Sequence, residues 1–213
     1  MNDPRKYSAA AARNRDAILS VLKAKLPATG TILEIASGSG EHIVHFAKHC
    51  PDLSFQPTDP SPEALASIAA WTLEANVPNV KQPIALDVSQ KEWQAQWVEE
   101  QAGASIDGLY CSNMIHIAPW EACTGLITGA GKLLQTDAPL IFYGPFFRTD
   151  TETAPGNVAF DQDLRLRNPQ WGIRQLETLT DVAHASGFLT PEVTEMPSNN
   201  LCVTFRRGPS FDQ

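Results

Sequence analysis

No apolar run in this chain exceeds strand length, so no segment reaches the about 20 residues that a membrane-spanning helix needs. The opening "MNDPRKYSAAAARNRD" is polar and lacks the hydrophobic core of a signal peptide, so the expectation is a cytoplasmic protein. Positive charge is scarce. Sixteen Lys and Arg face 24 Asp and Glu, for a formal net charge of −8. Non-specific nucleic-acid binding draws its free energy from neutralised phosphates, so no nucleic-acid partner is expected. The four cysteines (Cys50, Cys111, Cys123, Cys202) are scattered, with no Cys-x-x-Cys pair. They read as reduced thiols rather than zinc ligands or disulfides. Repeats and low-complexity tracts are also missing.

What is present is enough for a core. The chain has 213 residues, 43% of them hydrophobic and 19% charged, which suits one globular domain over 1–213. Apolar residues at helical spacing in "RDAILSVLKAKL" predict a helix before the first strand. The strands "TILEIA", "LSFQPTD", "PIALDV", "IDGLYCSN" and "PLIFYGPF" then alternate with helices. Ser61 and Pro62 read as N-cap and first residue of one of these. This rhythm predicts a doubly wound α/β fold with a mostly parallel sheet. After Phe147 the rhythm breaks. Residues 148–174 are long and polar, and read as a substrate-covering insertion or a plain surface loop. "QLETLTDVAHASGF" resumes a helix, and "PEVTEMPSNNLCVTFRR" reads as an antiparallel edge pair around a Ser-Asn-Asn turn.

The stretch "LEIASGSGEH" opens a mononucleotide fold, but it is a poor dinucleotide loop. Ile43 stands where the third glycine should let helix and strand approach. Glu41 sits where a pyrophosphate would need to lie. S-adenosylmethionine (SAM) carries no phosphate and fits better. Its amino-acid end needs close backbone approach and polar partners, which Glu34 and the turn from Ala36 through Ser37 and Gly38 to Gly40 supply. Asp59 follows Gly40 by 19 positions, near the roughly 20-residue spacing of a ribose-binding carboxylate. Asp87 ends the third strand, where the adenine amine needs an acceptor. Asn113 closes the fourth strand. All these positions fall at the carboxyl edge of the sheet, where doubly wound folds bind ligands.

The stretches "RNRDAIL", "LEIASGSGEHIVHFA", "QPTD", "LDV", "NMIHIAPW", "YGPF", "FDQDLRLRNPQWGIR" and "MPSNNLCVTFR" together resemble the methyltransferase-like 26 family, a group of unknown substrate. The resemblance runs from about Arg13 to Arg206. It implies a class I methyltransferase fold, a seven-stranded sheet with a reversed, antiparallel C-terminal strand. By resemblance, Glu34 to Gly40 hold the methionine end and Asp59 the ribose. Asp87 and Val88 border the adenine, and Asn113 to His116 flank the reacting centre. Ala36 agrees with the family's "ASGSG", and Gly156 stands where a serine is expected.

Methyl transfer is an in-line displacement that needs an aligned acceptor and, for some acceptors, a base. His116 after the fourth strand and Tyr143 in "YGPF" are the catalytic candidates. Equally, His116 caps a helix or bonds a loop carbonyl, and Tyr143 is a core ring with a satisfied hydroxyl. Asn157, Asp161, Arg165 and Arg174 are candidate substrate contacts in the 148–174 segment. The alternative is that its arginines, Arg148, Arg165, Arg167 and Arg174, pair with neighbouring acids. His42, His45 and His49 share a helix face but have no completing ligand, so no metal is expected. The expected activity is SAM-dependent methyl transfer to a small-molecule acceptor. The competing reading is a SAM-binding regulatory or scaffold module that transfers nothing.

Overall fold

The computed structural model describes residues 3–100 and 105–209, so the outermost residues of the expected 1–213 domain lie outside the described part. Helix α1 (Ala9–Lys25) starts where the Ser8 side chain accepts from the Ala11 amide, and it ends with Lys23 and Lys25 beside its terminal carbonyls. Its Ile18, Leu19 and Leu22 are buried, each contributing about 1.5–3 kcal/mol. Alternation follows: β1 (Gly30–Ile35), α2 (Glu41–His49), β2 (Leu53–Asp59), α3 (Pro62–Ala75), β3 (Ile84–Ala85), α4 (Trp93–Glu100), β4 (Gly108–Ser112), α5 (Trp120–Leu133) and β5 (Pro139–Gly144). Ser61 caps α3 through the Ala64 amide, as its place before Pro62 predicts.

Seven strands form one sheet in the order β3-β2-β1-β4-β5-β9-β8, with β8 spanning Glu192–Met196 and β9 Asn200–Arg206. Strands β1 to β5 pair in parallel, and β9 runs antiparallel to both β5 and β8. The order reverses between β1 and β4, so the chain leaves these two strands toward opposite sides and opens a crevice at their carboxyl ends. Helices α1, α2 and α3 cover one face, over Ile32, Phe55, Tyr110, Ile141 and Tyr143. Helices α4, α5 and α7 (Leu176–Ala185) cover the other, over Leu33, Leu109, Phe142, Val203 and Phe205.

Two local expectations change, and one holds. The third strand shrinks from "PIALDV" to Ile84–Ala85, the two residues in ladder register with Thr58 and Asp59 of β2. The terminal hairpin is the expected antiparallel pair at the sheet's edge: β9 pairs with β5, and β8 forms the border. The 148–174 segment holds regular structure, with β6 (Phe146–Phe147) pairing in parallel with β7 (Arg174–Gln175) around helix α6 (Pro155–Arg167). Pro155 starts α6, and the i,i+4 pairs Asp161–Arg165 and Asp163–Arg167 support it. Leu164 is its one buried residue, so there is no apolar stripe for periodicity to find.

Candidate functional site

The crevice is built around the turn after β1. Ala36 takes φ 54°, Gly38 60° and Gly40 89°, so three of its five residues are left-handed. A side chain at Gly40 would sit 2.8 Å from the Ile68 backbone, because α2 begins against α3. A side chain at Gly38 would meet nothing nearer than the Ala36 carbonyl at 4.0 Å, which leaves that stretch of backbone open to a ligand. The turn is tied to β2: the Ser37 amide donates to the Thr58 carbonyl at 2.8 Å and the Gly38 amide to Asp59 Oδ2 at 3.0 Å. Asp59 Oδ1 accepts from the Ser61 amide at 2.9 Å. Each Asp59 oxygen keeps a lone pair for another donor.

Glu34 lies beneath the turn and is buried. Its Oε2 is enclosed and has no hydrogen-bond partner among the described residues. Burial pushes its carboxyl up to about 8, a Ser37 hydrogen bond works against this, and the Asp59 charge adds to it. Glu41, at the α2 N-terminus, accepts from the Ser8 amide and from Ser39 Oγ. Ser67 completes this corner: its hydroxyl donates to the Ser39 carbonyl at 2.7 Å and accepts from the Lys6 amide at 2.8 Å. Neither Ser67 nor the Ser8–Glu41 bond was legible in the sequence, because both join segments far apart in the chain.

Asp87 accepts from the Ser89 amide and hydroxyl and from Gln90. Buried Val88 follows it, with its carbonyl packed so close to α5 that a side chain on Gly125 would approach it to 2.2 Å. At the end of β4, Asn113 takes φ 57° and donates its amide to the Tyr143 carbonyl at 2.8 Å. Gly144 is the close-approach point that the sequence reading missed. A side chain there would lie 2.5 Å from His116 Nε2 and 3.1 Å from Asn113 Oδ1.

His116 is 1% exposed, and neither ring nitrogen has a partner among the described residues. Its ring stands edge-on to Phe146 at 5.3 Å. Burial, and then the Arg174 cation, lower its pKa to about 3, so the imidazole is neutral. Tyr143 lies on the α1 face of the sheet, where burial raises its pKa and the Asn14 side chain works against this. Asn14 also bonds His42 at 2.8 Å. His45 faces Asp16 at 2.9 Å and His49 bonds the His45 carbonyl at 2.8 Å. Among the described residues no three or more His, Cys, Asp or Glu side chains converge as a metal site.

The 148–174 segment packs onto this centre. The Gly172 amide donates to the His116 carbonyl at 2.9 Å. Arg174 donates to the carbonyls of Ile115 (2.7 Å), Ala118 (2.6 Å) and Gln170 (3.0 Å), and lies 5.5 Å above the Trp120 ring. Asp161 holds Arg165 and the Ile173 amide. Arg167 faces Asp163 at 3.7 Å, and Arg148 pairs with Glu195 at 2.7 Å. All four arginines are therefore engaged within the protein. Asn157 donates to the Asn199 carbonyl at 3.0 Å and lines a cavity of about 200 Å³ with Phe146, Arg148, Glu152, Glu195 and Leu201. Phe146, which lines this cavity, also meets the His116 ring edge-on.

Solved structures share this architecture. A SAM-dependent methyltransferase, SibL, superposes with a TM-score of 0.76 at 18% identity, over 94% of this chain and 56% of that one. Human N-acetylserotonin methyltransferase in complex with SAM gives 0.74 at 9% identity, over 94% and 53%. An O-methyltransferase family 2 protein from Planctomyces limnophilus, in complex with apigenin, gives 0.76 at 15% identity, over 93% and 58%. At these identities the likeness establishes the fold, that of the class I methyltransferases, and the chain spans little more than half the length of those proteins. Residues 5–207 match a sequence family described as "Protein of unknown function (DUF938)", and the chain belongs to that family.

Proposed function

We propose that the chain binds SAM along the carboxyl edge of β1, β2 and β4 and transfers its methyl group to a small polar acceptor. The observation that carries this reading is the enclosed, unpartnered Glu34 Oε2 under an open glycine turn, with Asp59 beside it. An orphaned buried carboxyl oxygen costs free energy until a donor reaches it, and the methionine ammonium is such a donor. The turn would take the methionine end, Asp59 the ribose hydroxyls, and Asp87 with Val88 the adenine. Asn113 would border the reacting centre. When bound, SAM supplies an electrophilic methyl carbon on a sulfonium.

The protein's part is alignment and exclusion of water. The cavity beside Phe146 would seat the acceptor, and its lining of Arg148, Glu152, Glu195 and Asn157 suits hydrogen-bonding groups of both polarities. Neutral His116 would accept a hydrogen bond from an acceptor O–H or N–H, although so weak a base is a poor sink for a full proton. Tyr143 is given no proton transfer, because burial raises its pKa and keeps its hydroxyl protonated. Asp161, Arg165 and Arg174 are read as the framework of the covering segment rather than as substrate grips. The enclosure of His116 and Tyr143 favours one alternative, a SAM-binding module that transfers nothing. Incubation with methyl-labelled SAM and a metabolite extract separates the two: a labelled product supports transfer, and SAM binding without any product supports the module.

A further inference from the structure

We propose that Glu34 is protonated in the free protein and gives up its proton when SAM binds, so that cofactor affinity depends on pH through this one carboxyl. The inference rests on the SAM reading above. Glu34 is 3% exposed, and no salt bridge reaches it among the described residues. An ionised carboxylate buried without a cation is strongly disfavoured, and protonation is the usual relief. The methionine ammonium changes that balance, because a cation against the orphaned Oε2 favours the carboxylate. Between the two states the O–H bond of Glu34 breaks, its electron pair stays on the carboxylate, and the proton passes to solvent buffer.

Among the described residues, the surroundings of Glu34 supply no rival proton donor. The titratable groups coupled to it are Asp59 on β2 and Tyr110 and Cys111 on β4. Burial pushes both the Tyr110 hydroxyl and the Cys111 thiol up, so both stay protonated near neutrality. On the helices over the same face, burial lowers His42 to about 4 and also lowers His45, with Arg15 and Asp16 as the neighbouring charges. Across the crevice His116 lies at about 3, beside Arg174. The histidines His42 and His116 are thus already neutral between pH 6 and 7, and Glu34 is the group positioned to change its charge there.

The test is calorimetric titration of SAM and of S-adenosylhomocysteine at pH 6.5, in two buffers of different ionisation enthalpy. At this pH most of the ligand's own α-amine is already protonated. Wild type is expected to release close to one proton, and its affinity to rise about tenfold from pH 6 to pH 7. Glu34→Gln is expected to bind with buffer-independent heat and a flat pH profile. Wild-type binding without proton release overturns the inference and leaves the SAM reading standing. Release that persists in Glu34→Gln overturns the assignment to this residue. Failure of both ligands to bind overturns the SAM reading and this inference with it. If Glu34→Gln does not fold, the wild-type infrared difference spectrum decides instead. A protonated-carboxyl band is expected to disappear on adding S-adenosylhomocysteine, and an unchanged band refutes the proposal.

Discussion

Replacing Arg174 with Ala tests whether the 148–174 segment and the β4 exit loop form one mechanical unit. The guanidinium holds the carbonyls of Ile115, Ala118 and Gln170 at 2.6–3.0 Å, two of them flanking His116 in sequence. A hydrogen bond from a charged donor contributes about 1.5–3 kcal/mol, but water can reach part of this half-buried site once the side chain is gone. The net cost is therefore set at about 3 kcal/mol, with a Tm lowered by roughly 6–12 °C. Urea unfolding followed by tryptophan fluorescence reads the change, since Trp120 lies beneath the guanidinium. Arg174→Lys is expected to recover less than half, because one ammonium lacks the planar fork that reaches three carbonyls. A loss below about 0.5 kcal/mol would show that the three bonds do not hold the loop.

Other perturbations follow from single contacts. Gly144→Ala places a methyl group 2.5 Å from His116 Nε2 and is expected to lower stability by about 1–3 kcal/mol in chemical denaturation. Ala36→Gly relieves a left-handed alanine and is expected to stabilise by about 0.5–1 kcal/mol, with a lower midpoint counting against strain in the turn. Stability is expected to peak near pH 6.5 in urea titrations. Below it, His42 (about 4) and His116 (about 3) bind protons only on unfolding; above it, neutral Glu34 (about 8) must ionise on unfolding. Glu34→Gln should flatten the alkaline limb and steepen the acid limb down to about pH 4.5, and an unchanged alkaline limb would place the effect elsewhere.

Much of the architecture was legible from residues. Ser61–Pro62 marked the start of α3, and the alternation of strands and helices gave the parallel sheet, because both signals are local. The turn from Ala36 to Gly40 and the spacing to Asp59 located the crevice for the same reason. Helix α6 escaped notice because it buries only Leu164 and is held by charge pairs rather than by an apolar face. The cavity escaped because it joins Phe146 and Asn157 to Glu195 and Leu201, which only the return of β9 beside β5 brings together. The orphaned states of Glu34 and His116 are properties of packing. Sequence named both residues, but it could not tell that one would be an enclosed acid and the other an enclosed neutral base.

The central claim is that this edge of the sheet holds SAM, and calorimetric titration of SAM into wild type and Asp59→Ala tests it most directly. Asp59 supports the turn through the Gly38 amide and would accept from the ribose, so its loss removes charge-assisted hydrogen bonds worth about 1.5–3 kcal/mol each. The account requires one-site binding to wild type and at least about tenfold weaker binding to Asp59→Ala. Absence of binding to the wild-type protein, or equal affinity for the two, would contradict it.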